Sequence, residues 1–249
     1  MTMHGWRARI GLIIPHVNMT MEPEINSVLP RGASAHAARM VIPQLDPEGL
    51  VRMAEDALRA ADQLSELDAD VVVFGCTSGS FVGGQDHESD LVKRIAGRVG
   101  CPTLSTSGAG VQALRALGVT RVAVATPYDD TINQRLGAFF AAHGLDVVSL
   151  VGLGLRERTA HFPLARTPVS AIAQQSEEVV YRLARAAARP DVEALFISCT
   201  NLSTLGLVAE LESDLSIPVV TANQASFWAA FRAAGLGDSP AAFGSLGRY

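Results

Sequence analysis

Two cysteines carry the first chemical signal in this chain. Cys76 and Cys199 each close an apolar run, in Val71-Val-Val-Phe-Gly-Cys76-Thr77 and in Leu195-Phe-Ile-Ser-Cys199-Thr200. A thiol placed between a strand and a helix N-terminus meets free backbone N–H groups and the helix dipole. Both favour thiolate, so the position predicts a lowered pKa. The residues that follow, Thr77-Ser78-Gly79-Ser80 and Thr200-Asn201-Leu202-Ser203, are rich in capping side chains, and such a turn also holds a carboxylate. Two thiols facing each other across a small acid supply one acid and one base, or one nucleophile and one proton donor. That chemistry needs neither metal nor cofactor. Taken singly, each cysteine reads more readily as a buried structural residue, because free cysteine is among the most buried residue types. Cys101, which precedes a proline at a strand start, reads as structural.

The elements around the cysteines favour the functional reading, because they recur. Arg9-Ile-Gly-Leu-Ile-Ile-Pro-His16 aligns with Arg121-Val-Ala-Val-Ala-Thr-Pro-Tyr128. Asp68 to Thr77 aligns with Asp191 to Thr200, and Cys101 to Thr106 with Ile217 to Ala222. Val111 to Gly118 aligns with Phe227 to Leu236. Four blocks recur in one order, so both Cys-Thr pairs occupy equivalent strand ends. Continuous apolar strands joined by amphipathic stretches, such as Glu48 to Leu67 and His87 to Val99, predict parallel sheets covered on both faces. The expected fold is α/β, with two similar doubly wound lobes related by a pseudo-twofold axis. The N-terminal lobe is expected over 1–118 and the C-terminal lobe over 119–217, with 218–249 crossing back to the first. Ligands of such sheets sit beyond the carboxyl ends of the strands. That places His16, Cys76, Tyr128 and Cys199 around one cleft between the lobes.

Composition excludes other classes. With 249 residues and a formal charge of −5, and without a basic stripe, nucleic acid is not an expected partner. No apolar run reaches the roughly 18 residues of a membrane span, and the start lacks a signal-peptide pattern. Three widely spaced cysteines without a CxxC motif predict free thiols in a reducing cytoplasm rather than disulfides or structural zinc. The single lysine, Lys93, lies on a predicted helix face. A phosphate-binding loop and a pyridoxal-phosphate lysine are therefore not expected.

At these residues the chain resembles the aspartate/glutamate racemase superfamily, where a Cys-Thr pair recurs in both halves. Within it, the chain is most similar to the maleate cis-trans isomerase and arylmalonate decarboxylase branch. Pro15-His-Val-Asn18-Met-Thr20-Met21-Glu22-Pro-Glu24 resembles the isomerases' Pro-Ser-Ser-Asn-Thr-Thr-Met-Glu-x-Glu. His36-Ala-Ala-Arg39-Met40, Thr126-Pro-Tyr128 with Asn133, and Cys199-Thr-Asn-Leu resemble further elements of the branch. The resemblance implies that Cys76 adds to the double bond of maleate and that Cys199 is its acid/base partner on the opposite face. Rotation about the new single bond and elimination would then give fumarate. It also implies that Asn18, Tyr128 and backbone N–H groups near Thr77 and Thr200 hold the carboxylates; Ser78, Asn201, His16 and Asn133 are further candidates by position, Asn133 reading more readily as helix-start structure. Related proteins are commonly oligomeric, so a homo-oligomer is expected.

The departures are specific. His16 and Val17 replace serines of the isomerase motif. Cys76-Thr-Ser-Gly-Ser-Phe is closer to the decarboxylases' Gly-Thr-Ser-x-Ser-Phe, except at its first residue. The asparagine that the isomerases carry after the position of Gly154 has no counterpart, leaving Arg158 or His161 to replace it. Asn18 could otherwise cap the helix near Glu22, and Glu22 and Glu24 read as favourable charge at that helix start. His36, His87 and His143 read as solvated. The alternatives to a small-dicarboxylate isomerase are a racemase or epimerase of an amino-acid-like acid, a decarboxylase of a substituted malonate, and a non-catalytic small-acid binding protein.

Overall fold

The computed structural model describes residues 4–42, 46–155, 159–160 and 169–249. The first half contributes β1 (Ala8–Pro15), α1 (Met21–Val28), β2 (Ala33–Met40), α2 (Pro47–Leu64), β3 (Val71–Phe74), α3 (Thr77–Phe81), α4 (Gly84–Val99), β4 (Thr103–Ser105) and α5 (Thr106–Ala116). The second contributes β5 (Arg121–Thr126), α6 (Asp130–Ala142), β6 (Asp146–Gly152), the short β7 (Thr159–Ala160) and β8 (Val169–Ser170), and α7 (Glu177–Ala187). It ends with β9 (Ala194–Ile197), α8 (Val208–Leu215), β10 (Val219–Thr221) and α9 (Ala222–Ala233). A final 3-10 stretch covers Ala241–Arg248.

The strands form two four-stranded parallel sheets, ordered β2-β1-β3-β4 and β6-β5-β9-β10. The orders are the same under the correspondence that the repeated blocks give: β1 with β5, β3 with β9, β4 with β10. Central β3 and β9 are wholly buried, as their unbroken Val-Val-Val-Phe and Ala-Leu-Phe-Ile runs require. The short antiparallel pair of β7 and β8 stands apart from both sheets.

The halves meet through α5 and α9, which pack on each other, with α9 also touching β3 and β4 and α5 touching β10. Gly110 makes this joint close: a Cβ there would sit 2.9 Å from the Phe196 ring of β9. Ser226 Oγ of α9 donates to Thr106 Oγ1 of α5 at 3.2 Å. The second sheet continues to Thr221, so a C-terminal lobe stopping at 217 is too short; β10 belongs to it, and α9 after it reaches the first half.

Three histidines differ from the solvated reading. His36 lies within β2, with Nε2 2.9 Å from Ser34 Oγ. His143 closes α6 with Nδ1 2.9 Å from the Phe139 carbonyl oxygen. His87 Nε2 is buried without a hydrogen-bond partner among the described residues. Within the described residues no helix is long and apolar enough to cross a membrane.

Candidate functional site

The carboxyl ends of four strands converge on one cavity of about 40 Å³. Pro15, Val17 and Asn18 line it from the end of β1, and Cys76, Thr77 and Ser78 from the end of β3. Tyr128 follows β5, and Cys199, Thr200 and Asn201 follow β9; Ile42, Ser170 and Ile172 complete the wall. Each sheet thus supplies one cysteine.

The two cysteines are held differently. Cys76 is the N-cap of α3 in ordinary extended geometry, and its Sγ is 3.9 Å from Ser78 Oγ. Gly79 lets the helix start this close, because a Cβ there would meet the Met53 methyl at 2.3 Å and Cys76 Sγ at 3.1 Å. Cys199 has a φ of +111°, a region that residues with a side chain rarely occupy. Such strain costs on the order of 1–3 kcal/mol and persists only where the surroundings over-determine it.

The surroundings of Cys199 do so. Thr200 Oγ1 donates to the Gly75 carbonyl oxygen at 3.0 Å and accepts from Asn18 Nδ2 at 3.0 Å. Asn201 Nδ2 donates to the Val17 carbonyl oxygen at 3.2 Å and to Ser170 Oγ at 2.9 Å, while its Oδ1 accepts the Met19 N–H at 2.8 Å. The Asn201 N–H points toward Cys199 Sγ at 3.5 Å.

The electrostatics reverse the expectation of lowered thiol pKa values. Burial pushes Cys76 up to about 12, over the opposing pull of the Gly79 N–H and the Ser78 hydroxyl. Burial likewise pushes Cys199 up to about 11, opposed by the Asn201 N–H, the Tyr128 hydroxyl and the Leu202 N–H. Desolvation therefore outweighs the turn N–H groups, and α3, at five residues, is too short to offset it. Both thiols are protonated at neutral pH. Tyr128 is raised as well, first by burial and then by the nearby Cys199.

Two hydroxyls on the cavity wall, Thr77 Oγ1 and Tyr128 Oη, are buried with no hydrogen bond of good geometry among the described residues. Ser198 Oγ beside them is in the same state. Buried polar atoms are ordinarily paired, so unpaired hydroxyls around a cavity suit a ligand that brings acceptors. The described residues contain no group of His, Cys, Asp and Glu able to hold a metal ion.

Comparison with known proteins gives the lineage. The arylmalonate decarboxylase family pattern matches residues 10–247. The chain belongs to that family. It is 34% identical to an arylmalonate decarboxylase of Bordetella bronchiseptica over 231 residues, 90% of this chain and 92% of that one. It is 31% identical to a maleate isomerase of Nocardia farcinica over 250 residues, 96% of this chain and 94% of that one. A solved cysteine-to-serine variant of a Nocardia farcinica maleate cis-trans isomerase, carrying a covalently bound succinylcysteine intermediate, superposes with a TM-score of 0.82. It is 26% identical and covers 92% of this chain and 93% of that one.

Within this family fold, not every expected residue lines the cavity. Asn133 instead accepts from Thr126 Oγ1 at 2.7 Å and donates to the Tyr128 carbonyl oxygen at 3.2 Å, bracing the turn that carries Tyr128. His16, just past the end of β1, is exposed and does not line the cavity; its Nδ1 accepts the Ile42 N–H at 3.3 Å. Asn201 does line the cavity, but both side-chain N–H groups are spent on the Val17 and Ser170 contacts. Asn18 does what the capping reading gave it, its Oδ1 accepting the Thr20 and Met21 N–H groups at 3.0 and 2.9 Å. Among the described residues only one of its two side-chain N–H groups is used, by Thr200. Arg158 and His161 lie outside the described residues.

Sequence reasoning missed Glu24 and Asn223. Glu22 stays at the start of α1 and pairs with Arg39, but Glu24 reaches into the other half. Its carboxylate accepts the Thr204 N–H at 2.7 Å, the Leu205 N–H at 3.1 Å and Asn223 Nδ2 at 2.5 Å. Burial raises its pKa. A carboxylate within an otherwise apolar helix face was the available signal.

Proposed function

We propose that this protein is a cofactor-independent cis-trans isomerase of a small dicarboxylate, converting maleate to fumarate with Cys76 as nucleophile and Cys199 as acid/base. The observation that carries the reading is a single small cavity walled by one cysteine from each sheet and by the unpaired hydroxyls of Thr77 and Tyr128. In the minor form in which Cys76 has lost its proton to solvent, its thiolate adds to one alkene carbon while Cys199 gives its proton to the other, leaving a succinyl-cysteine and a Cys199 thiolate. The central bond is then single and rotates. Cys199 takes the proton back, the C–S bond breaks, and fumarate leaves with Cys76 again a thiolate. Protons and electrons balance without a further reactant. The succinylcysteine of the Nocardia farcinica relative is the adduct such an addition forms. The unused Asn18 N–H and the Thr77 and Tyr128 hydroxyls are the groups proposed to hold the carboxylates.

Decarboxylation of a substituted malonate is the second reading, favoured by the 34% identical relative. Against it, Cys76 stands where the decarboxylases' pattern has glycine, so two thiols face the cavity. Decarboxylation also needs only one protonating thiol.

The test follows reduced protein with maleate by NMR in D2O, alongside Cys76→Ala and Cys199→Ala. Fumarate from the parent and from neither variant supports the isomerase. Absence of fumarate, with CO2 released from phenylmalonate, replaces it with the decarboxylase. Solvent deuterium at the α-carbon of an amino acid without CO2 loss replaces it with a racemase.

A further inference from the structure

Thr200 and Asn201 share one peptide unit, whose C=O and N–H point in opposite directions because the unit is planar and trans. The N–H end points at Cys199 Sγ, 3.5 Å away. The C=O end accepts from Asn223 Nδ2 at 3.1 Å. The other hydrogen of that same amide nitrogen goes to the Glu24 carboxylate at 2.5 Å. Asn223 Oδ1 is buried and has no partner among the described residues, so among them the amide is held in this orientation through its nitrogen. The repeat supplies an independent observation. Ser107, at the second position of α5 as Asn223 is of α9, donates to the carbonyl oxygen of Thr77, the residue after the other cysteine, at 3.0 Å.

We infer that Glu24 and Asn223 are positioning residues that lock the Thr200–Asn201 peptide with its N–H toward Cys199, while Ser107 and Ser80 hold the corresponding carbonyl after Cys76. Glu24 touches neither substrate nor sulfur. It acts by fixing which face of the Asn223 amide meets Thr200. Were that amide to turn over, its oxygen would oppose the Thr200 carbonyl oxygen, and the peptide would be free to swing its N–H away from the thiol. The Glu24 carboxylate prevents this because it accepts and does not donate. The two clamps differ in kind: Ser107 is backed by the Ser80 hydroxyl at 2.7 Å, whereas Asn223 is backed by a carboxylate from the opposite half. The inference rests on Cys199 being a working thiol, but its test needs no substrate and stands apart from whether maleate turns over.

The experiment is alkylation of the reduced protein by iodoacetamide across pH 7 to 10, with Cys76 and Cys199 read separately by peptide mass spectrometry. The variants are Glu24→Gln, which replaces an accepting oxygen of the clamp by a donating N–H, and Asn223→Leu, which is close in shape and adds no charge. Cys76 and Tyr128, which titrate near Cys199, are unaltered; Glu24→Gln removes a carboxylate, which by charge alone would speed Cys199 alkylation, so a fall reports the lock. In both variants Cys199 alkylation is expected to fall by at least about tenfold at fixed pH, one pKa unit's worth of thiolate. Cys76, held by its own clamp, keeps the parent rate and serves as the internal reference. Folded variants in which both cysteines keep their parent rates would overturn the inference, as would an equal fall at both, which a general loosening gives. For a variant that does not fold, the parent decides. Its Asn201 amide proton must exchange slowly with D2O and shift when Cys199 alone is alkylated, and a fast-exchanging, unshifted amide refutes the lock.

Discussion

Thr200 Oγ1 donates to the carbonyl oxygen of Gly75 at 3.0 Å, so the residue after one cysteine is bonded to the residue before the other. The same hydroxyl accepts from Asn18 at 3.0 Å. One side chain thereby ties the ends of β1, β3 and β9 at the point where the thiols face the cavity.

Thr200→Val keeps the shape of that side chain and removes both bonds. It leaves the Gly75 carbonyl and the Asn18 amide buried and short of a partner, at about 1–3 kcal/mol for each group. The melting temperature is expected to drop by several degrees, and Thr200→Ser to recover most of it. A Thr200→Val protein that melts with the parent would mean the tie carries no stability.

Tyr128 is the opposite case. Its hydroxyl has no good hydrogen bond to lose among the described residues, so Tyr128→Phe should leave the melting temperature unchanged or slightly raised. If the hydroxyl binds a carboxylate whose charge shifts during addition, kcat should fall by roughly 10²–10³, as for removal of one donor from an oxyanion site. Unchanged turnover by the Phe variant would take Tyr128 out of the chemistry.

The raised thiols set the pH–rate profile. With Cys76 near 12 and Cys199 near 11, the reactive form has lost one proton from the pair and is scarce at neutral pH. The coupled pair titrates as a unit, so kcat/KM for maleate should climb about tenfold per pH unit between roughly 6 and 9. A plateau beginning near pH 7 would show a pre-formed thiolate and contradict the dominance of burial.

Stability follows the same groups with a definite sign. The ordinary thiol value is 9.0, and the folded values of about 12 and about 11 lie above it. A group raised on folding contributes its full stability below the unfolded value and loses it as pH rises toward the folded one. Melting temperature should therefore hold up to about pH 9 and decline from there toward 11. In a Cys76→Ala, Cys199→Ala double variant the decline should be shallower, with Tyr128 still contributing. Equal slopes in the two proteins would assign the alkaline loss elsewhere.

Much of the fold was legible because β1, β3, β5 and β9 are buried on both faces and write themselves as apolar runs. The edge strands β2 and β6 were not. Ala33–Met40 reads Ala-Ser-Ala-His-Ala-Ala-Arg-Met, half-buried and without an apolar run, and Asp146–Gly152 is only partly buried. Their places come from pairing with β1 and β5, which no local pattern encodes. At the site, the cysteines, Asn18 and Tyr128 could be placed because each stands just past a strand end. The thiol pKa values were misjudged because a dipole can be read from residue order, whereas the depth of burial is set by the opposite half. Glu24 was missed for the same reason: its partners are about 180 to 199 residues away along the chain.

That reach across the middle of the chain bears on divisibility. Asn18, Glu24 and Gly75 come from the first half, and Thr200, Asn201 and Asn223 from the second, so the Cys199 loop closes only with both halves present. Cleavage in the exposed turn at Gly118 should give two fragments, each inert alone. Restored activity on mixing would then be complementation: the chain behaves as an obligate heterodimer whose subunits happen to be covalently joined.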